Sequence, residues 1–176
     1  MIRLRDVMKK LPPDGGARHA LRNFNLAPKG ENGVPSVKEL AETLGFEVER
    51  VELPRGMKGR LVPDSFAPNG FRIEVNETLD VLQQRWAALH EIGHYYLHVD
   101  RNDPFVVAEK FRDRGNYFYS DEELQEEREA DQFAAAVLFD DGAFGAARSL
   151  LGDDDRRLSK HFGVTENVIR IARRQF

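Results

Sequence analysis

No cysteine occurs anywhere in the 176 residues. That excludes a disulfide framework, a thiolate metal site and a cysteine nucleophile, so any metal must be held by histidine and carboxylate. Long apolar runs are missing too, and none approaches the roughly 20 residues needed to span a bilayer. The opening stretch MIRLRDVMKK carries charge throughout and has no apolar centre, so no secretory signal is read there and the cytoplasm is the expected location. The charges nearly balance at a formal −4, which gives no global reason to expect nucleic acid or an anionic membrane as partner. There is no internal repeat, and no low-complexity tract exceeds Asp153-Asp154-Asp155. What remains is an ordinary globular composition, 41% hydrophobic and 32% charged, at a length that suits one domain over 1–176.

Residues 1–33 carry weak signals: a short helix over Ile2–Leu11, stopped by Pro12-Pro13-Asp14-Gly15-Gly16, and a second over Ala17–Phe24. Ser36 with Glu39 then reads as a capping box opening a helix over Val37–Leu44, with Gly45 where a C-cap belongs. Strands are predicted from Phe46 to Leu53, over Lys58–Val62 and over Phe71–Val75, where apolar and charged residues alternate. A small three-stranded antiparallel sheet is the expectation. Asn76 is placed as the cap of a long helix, Glu77 to Val99, that is apolar almost all round and therefore buried between neighbours. An irregular, aromatic-rich stretch over 100–119 precedes a helix from a second capping box, Ser120 with Glu123, to Phe139. A short apolar helix over Ala143–Leu151 and a pair over Asp153–Phe162 and Thr165–Gln175 complete a helical tail, 143–176.

The long helix carries His90-Glu91-Ile92-Gly93-His94, an HExxH motif. Positions four apart on a helix differ by about 40° and one turn, so the two imidazoles converge on one point. Glu91, about 100° round from His90, reaches a water at that point and is the candidate general base. Without a metal, the same residues make a pair of hydrogen-bonded core histidines. A catalytic zinc needs a third protein ligand. His98 is ruled out as that ligand because a straight helix carries it about 12 Å along the axis from His90; it reads instead as a helix-terminal residue bonding a carbonyl or supporting the site. On a wheel of the helix SDEELQEEREADQFAAAVL, Leu124, Ala130, Asp131, Ala134 and Leu138 fall within about 60° of Glu127, while Glu122, Gln125, Glu129 and Gln132 face away. A carboxylate on an apolar stripe needs a cation, and zinc accounts for Glu127. Asp131, one turn on, is placed to accept the spare N–H of a ligating histidine. Glu123 is the reserve ligand. Tyr95, Tyr96, His98, Arg112, Tyr117 and Tyr119 are candidate donors to a developing oxyanion, with Tyr117 and Tyr119 ranked first because their loop can border a cleft.

At these residues the chain resembles the ImmA/IrrE zinc peptidases. The matching stretches are VKELAETLGFEVERV, HEIGHYYLH and EREADQFAAAVL, over about 36–139, with LSKHFGVTENVIRIARR similar to the family's usual tail. The Glu-x-x-x-Asp of the third stretch also looks like the ligand helix of gluzincins, where the Glu binds zinc and the Asp orients a ligand histidine; it maps onto Glu127 and Asp131. Asp140-Asp141 departs from the Met-Pro common after that helix, and the first 33 residues are unmatched. The resemblance implies an α+β, zincin-like, mostly helical fold with Zn2+ as cofactor. It implies peptide hydrolysis of a helix-turn-helix repressor or antitoxin-type regulator, in phage, mobile-element or stress-response control. The alternative is a metal-stabilised regulatory module that binds such a repressor without cutting it. A DNA-reading role for the basic tail is disfavoured by Asp153–Asp155 and the acidic total. The Phe71–Val75 strand is the expected edge for pairing with substrate.

Overall fold

The computed structural model describes residues 1–13, 15–27, 33–99 and 121–176. Two short helices, α1 (Leu4–Lys10) and α2 (Gly16–Leu26), lead into α3 (Val37–Thr43), whose cap Ser36 accepts from Glu39 N as the sequence predicts. Strands β1 (Glu47–Val51), β2 (Gly59–Pro63) and β3 (Phe71–Asn76) follow, then the long helix α4 (Val81–His98). The second long helix, α5 (Asp121–Phe139), precedes α6 (Ala143–Leu151), α7 (Asp155–Phe162) and α8 (Glu166–Ala172). The result is a mostly helical α+β fold of zincin-like type, with one small sheet beside α4. The capping box placed at Ser120 lies outside the described residues.

The sheet is mixed, not antiparallel. Its order is β1-β3-β2, with β1 parallel to β3 and β2 antiparallel to it. The short Asp64–Gly70 turn joins β2 and β3 directly, closed by Asp64 N donating to Gly70 O at 2.8 Å, and Gly70 takes the positive φ of 84° that a side chain resists. The β1–β2 connection instead passes round the end of β3, and Asn76 pins it there. Its amide donates to Met57 O at 2.9 Å, and its backbone N–H donates to Lys58 O at 2.9 Å. β1 ends and β2 begins at the same end of β3, so β2 runs back antiparallel to it, and the second reversal at Asp64–Gly70 makes β3 parallel to β1. Asn76 is thus a loop anchor rather than a helix cap. The cap of α4 is Asp80, in a reciprocal box with Gln83: the Asp80 carboxylate accepts from Gln83 N at 2.9 Å. β3 is bonded on both sides, so it presents no edge to a substrate. Among the described residues the edges are β1 and β2.

Both long helices sit in the middle of the core. Ala87, Ala88, Leu89 and Ile92 of α4 are buried, as are Ala130, Phe133, Ala134 and Val137 of α5. The Tyr95 ring packs edge-on against Phe46 at 4.9 Å and Phe71 at 5.4 Å, and Tyr96 stacks on Phe133 at 6.3 Å. These contacts make both tyrosines packing residues that lock α4 to the sheet and to α5. The N-terminal helices belong to the same core through Leu4, Val7, Leu11, Leu21 and Phe24, each contributing about 1.5–3 kcal/mol by burial. Ile2 N donates to Gln132 Oε1 and Leu4 N to Asp140 Oδ2, both at 2.8 Å, so the chain start is tied to α5. In the tail, Phe139, Phe144 and Phe162 cluster edge to face.

The distance between α4 and α5 is set at Gly93. A Cβ there would meet Ala130 O and Phe133 Cβ at 3.1 Å and Ala130 Cα at 3.2 Å. Those neighbours belong to a packed helix and cannot swing aside as a side-chain tip can. Gly93→Ala is therefore expected to lose more by overpacking, about 1–3 kcal/mol, than the roughly 1 kcal/mol that alanine gains in helix propensity. Urea unfolding should show a lower midpoint, and a raised midpoint would contradict the close-approach argument.

Candidate metal centre

Three side chains from α4 and α5 converge. His90 Nε2 lies 3.0 Å from Glu127 Oε2, His94 Nε2 lies 3.1 Å from Glu127 Oε1, and the two Nε2 atoms are 2.9 Å apart. The one-turn spacing on α4 brings the rings together, and the Gly93 contact brings α5 near enough for Glu127 to face both. His94 is fully buried, and Glu127 is only partly exposed. His90 is held from behind: its Nδ1 is 2.9 Å from Asp131 Oδ1, which also accepts from Trp86 Nε1 at 3.2 Å. A proton on Nδ1 donates to that carboxylate, and once Nε2 gives up its own proton its lone pair faces the shared centre.

This donor set fits a divalent ion. One ligand atom from each of His90, His94 and Glu127 lies within 4.8 Å of the others, and two imidazole nitrogens with a carboxylate are a donor set suited to zinc. Glu91 is buried beside them. It lines, with His90, Glu127 and Asp131, a cavity of about 270 Å³ whose other wall is the segment Gly56–Arg60. Gly59 makes that wall fit: a Cβ on it would lie 3.2 Å from Glu74 O and 3.4 Å from Glu91 Cγ. Glu74, buried in the sheet, holds Arg60 at 2.5 Å and Arg72 at 2.9 Å, which fixes the strand behind the cavity.

The ionisation of the cluster follows from its geometry. Burial pulls the His90 pKa down, but hydrogen bonds to Asp131 and Glu127 and the nearby carboxylates outweigh it and push it up to about 10. Burial raises Glu127, yet its hydrogen bonds to His90 and His94 bring it well below the usual carboxylate range. Glu129 is also held low, first by Gln125 and then by His98.

Of the residues singled out in the sequence, His90, His94, Glu127, Glu91 and Asp131 share one region. Tyr117, Tyr119 and Arg112 lie outside the described residues. Glu123 is exposed at the start of α5 and stands outside the three-residue group. Leu124, placed on the apolar stripe, is 41% exposed because the first turns of α5 project beyond the core. Sequence reasoning missed Glu129, assigned to solvent, whose Oε2 lies 3.0 Å from His98 Nε2. It also missed a second group, His94, His98 and Glu126, in which ligand atoms come within 4.8 Å of one another. The i, i+4 spacing of His94 and His98 was the available signal for both.

The sequence profile of a peptidase family, M78, described as the IrrE N-terminal-like domain, matches residues 42–172. None of the curated proteins compared with the chain matches it. Among the described residues, no helix is long and apolar enough to cross a membrane.

Metal uptake is expected to be coupled to protons. His90 with a pKa of about 10 is protonated at neutral pH when no metal is bound, so an arriving ion must expel that proton. Apparent zinc affinity, measured against a competing chelator, should keep rising from pH 7 to pH 9; a flat profile there would contradict the raised pKa. In the metal-free protein the sign is opposite. The folded value stands above the ordinary 6.5, so the His90 contribution to stability is complete below about 6.5 and is lost as pH climbs through about 10.

Proposed function

The chain belongs to the M78 peptidase family of IrrE N-terminal-like domains, which implies a metallopeptidase-type function, and we propose that it is a zinc-dependent endopeptidase of the cytoplasm. The carrying observation is the convergence of His90 Nε2, His94 Nε2 and the Glu127 carboxylate on one point that opens to a cavity also lined by Glu91. In this reading the three are the metal ligands, Asp131 positions His90, and Glu91 is the general base. Zinc held there supplies Lewis acidity, activating a water and polarising the scissile carbonyl. Glu91 takes a proton from the attacking water and delivers it to the amine nitrogen as the C–N bond breaks.

The substrate strand in this reading pairs with β2. Among the described residues that strand is bonded only to β3, and its first residues, Gly59 and Arg60, border the cavity. An extended peptide added to its outer edge would pass across the catalytic group. The proposed substrate is a helix-turn-helix repressor or antitoxin-type regulator, a reading that rests on the family resemblance. The tail supports a packing or docking role over DNA reading: Arg170 pairs with Asp155 at 3.1 Å, and Arg173 pairs with Asp153 at 2.9 Å.

A module that binds a repressor without cutting it needs no buried Glu91 in the cavity, which favours the enzyme. Incubating the zinc-loaded protein with a candidate repressor should yield defined fragments. Glu91→Gln should retain one zinc by elemental analysis while fragment formation slows by roughly 10²–10⁴-fold. Undiminished cleavage by that variant would remove Glu91 from the mechanism, and stable complex formation without fragments would favour the binding module.

A further inference from the structure

The two proposed ligand histidines are held from behind by different devices. His90 leans directly on Asp131. His94 meets a second imidazole instead: its Nδ1 lies 3.2 Å from Nδ1 of His98, and His98 Nε2 lies 3.0 Å from Glu129 Oε2. Both rings are buried, at 0% and 6% side-chain exposure.

We propose that Glu129 and His98 form a two-residue relay that positions His94, fixing its tautomer so that Nε2 faces the metal. The argument rests on the metal reading above and follows from proton counting. Two neutral imidazoles facing each other by Nδ1 need one N–H and one lone pair between them. If His94 offers the Nε2 lone pair to the ion, its proton sits on Nδ1 and donates to His98. His98 must then accept at Nδ1, so its own proton sits on Nε2, which faces Glu129. Every donor then meets an acceptor along Glu129, His98, His94 and the ion. His98 and Glu129 are positioning residues that never touch the reacting atoms. The competing use of the same groups is a second metal site formed by His94, His98 and Glu126, which would need the Nδ1 proton of His94 removed.

The test uses the full chain and zinc itself. His98→Phe and Glu129→Ala should each weaken zinc binding roughly 10–100-fold, measured against a competing chelator. His98→Gln, whose side-chain carbonyl can accept from His94 Nδ1–H, should recover most of that loss, which a purely structural role for the ring would not allow. Glu129→Ala lies at a partly exposed position and should leave zinc-free unfolding near wild type, so a folding defect does not decide the result. Nitrogen-15 NMR of the zinc-loaded wild type should show His94 protonated at Nδ1 and His98 at Nε2. Wild-type affinity in both His98→Phe and Glu129→Ala, a proton on His98 Nδ1, or a second zinc lost with His98→Phe would each overturn the relay alone. A wild-type chain that binds no zinc would overturn the metal reading and the relay with it.

Discussion

The structure depends on the closeness of two helices. Gly93 lets the backbone of α5 come within van der Waals contact of α4 at Ala130, with Phe133 packed alongside. Without that approach the Glu127 carboxylate could not face two imidazoles on the neighbouring helix, and the buried His94 would lose a charged partner. The glycine inside the HExxH motif therefore has a packing reason that is separate from the chemistry of its neighbours. Small residues on the facing side, Ala130 and Ala134, extend the same close seam.

The rest of the fold braces that pair from three directions. The N-terminal helices grip the far end of α5, where Asp140 binds both Arg3 and the backbone of Leu4, and Asn25 donates to Val137 O at 3.0 Å. Asp140 thus has a structural role at a position where the resembling family often carries a different residue. The tail is tied in through Arg85 of α4, which donates to Gly163 O at 3.0 Å and to Pro35 O at 2.9 Å. One guanidinium thereby links the metal helix to the segment before α3 and to the turn between α7 and α8. The sheet completes the enclosure, with Tyr95 wedged between Phe46 and Phe71.

The cavity side is built differently from the ligand side. The three converging side chains come from helices packed in the core. The facing wall is the start of β2 and the loop before it, Gly56–Arg60, a strand paired among the described residues with β3. The converging side chains and the strand that faces them are thus built on different kinds of element, two packed helices against the end of a sheet.

Much of this was legible in the residues because helical periodicity is local. The spacing of His90 and His94, the wheel that paired Glu127 with Asp131, and the cap at Ser36 depend only on neighbours within a turn or two. Strand boundaries were close to right for the same reason. Strand direction was not legible, because parallel or antiparallel pairing depends on the path of the 52–58 connection, and that path depends on Asn76, which reads as an ordinary helix cap when only its neighbours are considered. Glu129 was assigned to solvent since a wheel ranks residues around one axis and knows nothing of a side chain arriving from another helix. His98 was judged by its distance from His90 along the axis, whereas its contact is with His94. The sequence by itself determined which atoms could form a centre. Only the packing of α5 on α4 decided which of them meet, since contact between helices is a property of two surfaces and their separation.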